Sequence, residues 1–142
     1  MAMKAEKIQK TEFMAFRGYD PKDKNFILAT WLRGLYLENS FFRKIEKKTY
    51  FKNYELILEK ILSDPDTFCH IACHSEDASV IFGYAVMKNT ETLHWTFVKL
   101  PFRRVGIMTD LLKPFKLKAV THLTDLGYKL KPKSVVFDPF LI

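Results

Sequence analysis

The feature that most constrains this chain is the change of hydrophobic period at Asp64-Pro65-Asp66. Before it, Tyr50, Tyr54, Ile57/Leu58 and Ile61 recur at helical spacing. After it, residues 67–74 (TFCHIACH), 79–88 (SVIFGYAVMK) and 92–99 (TLHWTFVK) read as strands. The first two are joined by a short SEDA turn, and Asn89-Thr90-Glu91 turns the chain into the third. Three consecutive strands with such short connections form an antiparallel meander. A meander with one apolar face needs a helical layer to cover it.

The flanks supply that layer. Residues 12–19 (EFMAFRGY) read as a first strand ended by the turn-like DPKD. Asp23 then stands as a helix cap before residues 25–38, where Ile27, Trp31, Gly34 and Leu35 form the more apolar side. Asn39-Ser40 interrupts this helix, and Thr49 precedes a second one over residues 50–64. Beyond the meander come the loop LPFRR and a helical stretch from about Gly106 to Leu126. Pro114 should kink or split that stretch, and Gly127 should stop it. KSVVFDPFLI supplies a last strand, expected to lie parallel to the fourth through a right-handed crossover. The predicted order is β-α-α-β-β-β-α-β in one domain spanning residues 1–142. The fold class is α/β (α+β), with a mixed, mostly antiparallel five-stranded sheet and helices on both faces.

Composition narrows the partners. Lys and Arg exceed Asp and Glu by 23 to 16, a formal charge of +7, which suits nucleic acid, an anionic cofactor or an acidic partner. The longest apolar runs fall far short of a membrane span, and MAMKAEKIQK has no hydrophobic region behind its charges. A soluble, cytoplasmic protein is the expectation. Cys69 and Cys73 stand beside His70 and His74, which resembles a ligand cluster. On a strand, however, the two sulfurs would lie roughly 13 Å apart, too far for one zinc ion. Buried thiols and no metal are therefore expected.

Residues 98–112 (VKLPFRRVGIMTDLL) carry the chemistry. A helix that begins directly after a strand aims free N–H groups and its positive dipole end at the strand's exit, which suits a phosphate. Gly106 would let the backbone approach an anion, Arg103 and Arg104 add positive charge, and Ile107 with Leu111/Leu112 anchor the helix. At this point the chain resembles the GNAT superfamily of N-acetyltransferases. That family's signature is Arg or Gln, two residues, Gly, one residue, then Gly or Ala, set between the fourth strand and the following helix. Arg103-Arg104-Val105-Gly106-Ile107-Met108 stands in that place, with Phe102 before it and Met108 where the family has a small residue. The segments FILATWLRGLY, LHWTFVK and DPFLI further resemble a group of short phage-encoded proteins of this fold, some distantly related to the DNA-modifying Mom protein of phage Mu.

The resemblance implies an acyl-CoA-dependent N-acetyltransferase with acetyl-CoA as co-substrate. Amides around Val105, Gly106, Ile107 and Met108 would hold the pyrophosphate, and the main chain of Phe97 and Val98 would pair with the pantetheine arm. It also implies a C-terminally truncated member, because the family's usual fourth helix and last two strands find no counterpart in the predicted order. For proton transfer, His94 leads because an ordinary imidazole titrates near neutrality, with Thr96 expected on the same face of the strand. Glu91 at the start of that strand and Tyr84 on its neighbour are further candidates. Trp31 and Arg33 on the first helix would border the acceptor groove, Arg33 contacting an anionic substrate. The alternative is a non-catalytic module of this fold that grips nucleic acid or a host protein. A free terminal strand would also allow homodimerisation edge to edge.

Overall fold

A computed structural model describes residues 13–142. One mixed sheet holds six strands in the order β1 to β6. β1 (Met14–Arg17), β2 (Thr67–His74), β3 (Asp77–Lys88) and β4 (Thr92–Val98) follow one another in antiparallel pairs. β5 (Ala119–Val120) lies parallel to β4, and β6 (Val136–Phe137) lies parallel to β5. Glu12, the first residue of the expected first strand, lies outside the described residues.

Helices α1 (Lys24–Glu38), α2 (Ser40–Arg43) and α3 (Lys47–Leu62) separate β1 from β2. α1 buries Ile27, Trp31 and Leu35 of the expected side, and also Leu28 and Leu32 beside them, against Ile71, Tyr84, Val86 and Trp95 of the sheet and Tyr50, Leu58 and Ile61 of α3. On a second cluster, α4 (Ile107–Leu112) packs Ile107 and Leu111 against Ala72, Phe82 and Val98. Burying such a side chain contributes about 1.5–3 kcal/mol, so these two residues suffice to seat a helix of under two turns.

Asp23 does not cap α1. Its carboxylate accepts two bonds from Arg17 at 2.8 and 2.9 Å and one from the Asp20 N–H at 2.8 Å, which locks the end of β1 onto the start of α1. Burial opposes ionisation, but the guanidinium and the amide outweigh it and hold the Asp23 pKa below its ordinary value. Asn39 ends α1 and caps α2, accepting from the N–H groups of Phe41 and Phe42. α3 starts before Thr49, whose hydroxyl donates to Glu46 instead of capping the helix.

The C-terminal third differs most from expectation. Residues 106–126 are not one helix. α4 ends before Pro114, residues 119–120 form β5, and α5 (Asp125–Leu130) follows, with Gly127 inside it and donating to the Thr124 cap. The strand parallel and adjacent to β4 is therefore β5, and the terminal β6 lies one place further out. Only Val136–Phe137 of the expected last strand pairs; residues 139–141 coil into a 3-10 turn. The sheet thus has six strands, not five, and a helix and a strand follow β5 where the predicted order had none. Among the described residues no helix is long and apolar enough to cross a membrane.

Candidate functional site

β4 and β5 pair at one end and then part. Their register holds only at Thr92↔Ala119 and Leu93↔Val120, sealed by a bond from the Thr121 N–H to the Leu93 carbonyl at 3.0 Å. A bulge at His94 explains the parting. Met87 faces Leu93 and Val86 faces Trp95, so His94 is an extra residue in the ladder, and a bulge bends and twists its strand. Beyond it the strands diverge around a cleft of about 700 Å³. Its walls are mainly apolar: Leu93, Trp95 and Val98 from β4, Leu112 from α4, Val120 from β5 and Leu130 from α5.

The free edge of β4 faces this cleft. The bond from the Lys99 N–H to the Phe82 carbonyl, at 2.8 Å, sets the phase of the β3–β4 ladder. In an antiparallel pair the bonded and unbonded positions alternate, so Trp95 and Phe97 bond to β3 while the main chains of Thr96 and Val98 point into the cleft. Of the pair expected to offer main-chain groups, Val98 turns its main chain to the cleft side, where its carbonyl accepts from Arg103, and Phe97 turns its main chain to β3. The Phe97 ring instead lies under the Arg103 guanidinium at 5.9 Å. Arg103 is fixed further by donating Nε to the Val98 carbonyl at 2.7 Å, which leaves its two terminal nitrogens at the mouth of the cleft.

The loop after β4 turns by way of two left-handed residues, Arg104 (φ 69°) and Gly106 (φ 87°). A side chain pays about 1–2 kcal/mol for that conformation and glycine does not. Gly106 then leads directly into α4, whose first turn carries Ile107 inward and Met108 onto the cleft wall. Arg104 and Val105 lie between, exposed and half-buried.

At the closed end of the fork the chain places a cluster that the sequence did not mark. Thr121 Oγ lies 2.8 Å from His94 Nδ1 and 2.8 Å from His122 Nδ1, and His122 Nε2 lies 2.7 Å from the Tyr54 hydroxyl. A threonine hydroxyl has one proton, so one imidazole receives from it and the other donates to it. Both rings are buried, and burial pushes His94 down to about 4 and His122 down to about 3. His94 is therefore not the freely titrating base that its residue type suggested, and the bulge has turned it toward Thr121 and His122. His122 lines the cleft.

The other sequence candidates are dispersed. Glu91 is exposed at the paired end of β4, bridging Lys118 at 3.1 Å while its carbonyl accepts from the Lys118 and Ala119 N–H groups. Tyr84 is fully buried under α1, bonded to Thr30 at 2.7 Å and to the Ile27 carbonyl, and burial raises its pKa far above the usual range. Trp31 is fully buried as well, stacked on Trp95 at 6.2 Å. Arg33 is exposed, and α1 contributes Gly34 and Glu38 to the cleft instead. Cys69 and Cys73 are buried free thiols, and burial pushes Cys69 up to about 12. Among the described residues no group of three or more His, Cys, Asp or Glu stands close enough to hold a metal ion.

This architecture recurs in solved structures. An acetyl transferase from Pyrococcus furiosus superposes with a TM-score of 0.57 at 16% identity, over 87% of this chain and 81% of the other. An acetyltransferase from Clostridium acetobutylicum, solved with acetyl-CoA, gives 0.53 at 17% identity, over 82% of this chain and 84% of the other. The fold is GNAT-like. A third such structure, from Clostridium difficile 630, matches with a TM-score of 0.50 at 12% identity, over 72% of this chain and 68% of the other. No family model matches the sequence, and no curated protein is similar to it in sequence. At these identities the likeness is one of fold alone.

Proposed function

We propose that the chain is an acyl-CoA-dependent N-acyltransferase, transferring an acetyl group to an amine. The observation that carries this reading is the β4–β5 fork: an apolar cleft with the main chain of Thr96 and Val98 along one wall and Arg103 at its mouth. An extended arm containing amides would bond to that strand edge as an added strand does. The terminal nitrogens of Arg103, the exposed Arg104 and the turn through Val105, Gly106, Ile107 and Met108 would receive the pyrophosphate. Support also comes from the Clostridium acetobutylicum structure, whose acetyl-CoA marks that relative as a binder. On this reading the thioester reaches the closed end of the fork, where an amine that has lost its ammonium proton to solvent attacks the acyl carbon, the carbon–sulfur bond breaks, and the second proton shed by the nitrogen leaves on the thiol. The His94–Thr121–His122 cluster would shape that end without carrying a charge.

Calorimetric titration with acetyl-CoA, with the protein's melting temperature followed in parallel, tests the reading. Binding should raise the melting temperature, and Arg103→Ala should weaken affinity by about tenfold or more, as expected when a charge-assisted contact worth about 1.5–3 kcal/mol is removed. No heat of binding and no shift with millimolar acetyl-CoA would overturn it. The +7 charge supports the second reading, a nucleic-acid-gripping module. That reading requires retention of DNA or RNA that falls steeply with salt.

A further inference from the structure

Arg103 and Glu38 mark opposite ends of the cleft. Phe26 meets the Phe97 ring edge-on at 6.0 Å, and Arg103 sits over the same ring, so the start of α1 stands at the Arg103 mouth. Glu38 is twelve residues further along the same helix, residue 38 against residue 26. At 1.5 Å per residue that is about 18 Å, beyond the roughly 8 Å over which charges in physiological salt feel each other. The α1 residues on the cleft are Gly34 and Glu38, four apart and therefore on one face of the helix. Arg33 lies on a different face.

Glu38 is the one carboxylate on the cleft wall, and no Lys or Arg among the described residues pairs with it. It also ends a helix of 15 residues, where the backbone dipole already favours a cation. The nearby cation, Arg43, is committed: it donates to the Leu37 carbonyl at 2.6 Å and faces Asp125 at 3.6 Å. Lys131, the other cation on the cleft wall besides Arg103, is committed as well, donating Nζ to the Val135 carbonyl at 2.6 Å and to the Pro132 carbonyl at 3.3 Å. The remaining groups beside the C-terminal end of α1 are neutral. They are Trp95, His122, Leu123 and Thr124, and burial keeps the His122 ring uncharged at neutral pH. Asn39 ties the helix end to this wall by donating Nδ2 to the Leu123 carbonyl at 2.8 Å, so the backbone that carries Glu38 is fixed against it.

We infer that Glu38 is the residue that selects the acceptor, and that the acceptor is a primary alkylammonium whose charged head meets Glu38 while its apolar stem lies against Trp95 and Leu123. This deepens the acyltransfer reading and rests on it for the word acceptor, while the cation site itself can be tested alone. It also reverses the sequence expectation of an anionic substrate held by Arg33.

The probes are n-pentylammonium and its neutral counterpart n-pentanol, titrated calorimetrically into wild type, Glu38→Gln and, as a control on exposed α3, Glu55→Gln. Acetyl-CoA is titrated into the same three proteins. Pentylammonium should bind wild type and Glu55→Gln at least tenfold more tightly than pentanol does, and Glu38→Gln should abolish that preference without changing acetyl-CoA affinity. Absent pentylammonium binding, equal binding of the two probes, or a preference that survives Glu38→Gln overturns the inference. If the preference depends on Glu38 but acetyl-CoA fails to bind wild type, the cation site stands and the acyltransfer reading falls.

Discussion

The buried histidine pair makes a quantitative prediction about acid stability. In the native protein His94 titrates at about 4 and His122 at about 3, against 6.5 for an ordinary imidazole. Both native values are depressed, so below pH 6.5 the unfolded chain binds protons that the folded chain refuses. Stability is therefore complete above pH 6.5 and is lost progressively as pH falls toward 4 and then 3. Between pH 7.5 and pH 5 each ring costs about 2 kcal/mol, from 1.36 kcal/mol per unit over about one and a half units. Together the loss is about 4 kcal/mol, a large part of the 5–15 kcal/mol by which domains are typically stable. Carboxylates contribute little in that window, because Asp23 has its pKa lowered by Arg17 and releases its stabilisation only at lower pH. Urea unfolding at half-unit steps from pH 7.5 to pH 5 measures the slope directly. A His94→Gln/His122→Gln protein keeps polar side chains at both sites and has nothing there to titrate, so its stability should be nearly flat over the same range. A flat wild-type profile, or a double variant as steep as wild type, would refute the assignment of two neutral buried imidazoles.

Two further substitutions probe the frame of the cleft. At Gly83 an added methyl would meet the Phe97 carbonyl at 2.6 Å, a backbone atom that cannot yield cheaply; Gly83→Ala should cost about 2–4 kcal/mol in urea unfolding. Asn39→Ala removes the α2 cap and the tie to Leu123 together, and should cost about 1–2 kcal/mol while speeding hydrogen exchange at the N–H groups of Phe41 and Phe42.

The meander was legible because each of its strands runs for seven residues or more, long enough for composition and turn residues to declare a strand. α1 was legible because Ile27, Trp31 and Leu35 repeat at intervals of four. β5 could not be read: two residues cannot display a period, and Ala119-Val120 continue a helical pattern as readily as they start a strand. Pro114 was the available signal, and its missing N–H ends α4 outright rather than bending a longer helix. The same misreading hid His122, which in a long helix would have been one polar residue among several. The register of the main chain was equally invisible, so Phe97 and Thr96 could not be told apart as the residue whose backbone faces the cleft.

His94 illustrates how a residue singled out for one property can matter through another. It drew attention for its pKa, yet burial removes that property. What it contributes is the extra position in β4 that breaks the ladder between Val86 and Met87. Were β4 regular, its residues beyond Leu93 would be free to continue pairing with the strand beside them, and the backbone groups of Thr96 and Val98 would be consumed in the sheet. The bulge leaves them facing the cleft, and the Thr121 hydroxyl binds the displaced ring on one side and His122 on the other. That bond sits one residue past the last β4–β5 pair, at the point where the parting must begin. A buried polar residue at a strand fork is costly unless every polar atom finds a partner. Here one shared hydroxyl and a tyrosine from α3 bond three of the four imidazole nitrogens, and the strand edge beside them is left open.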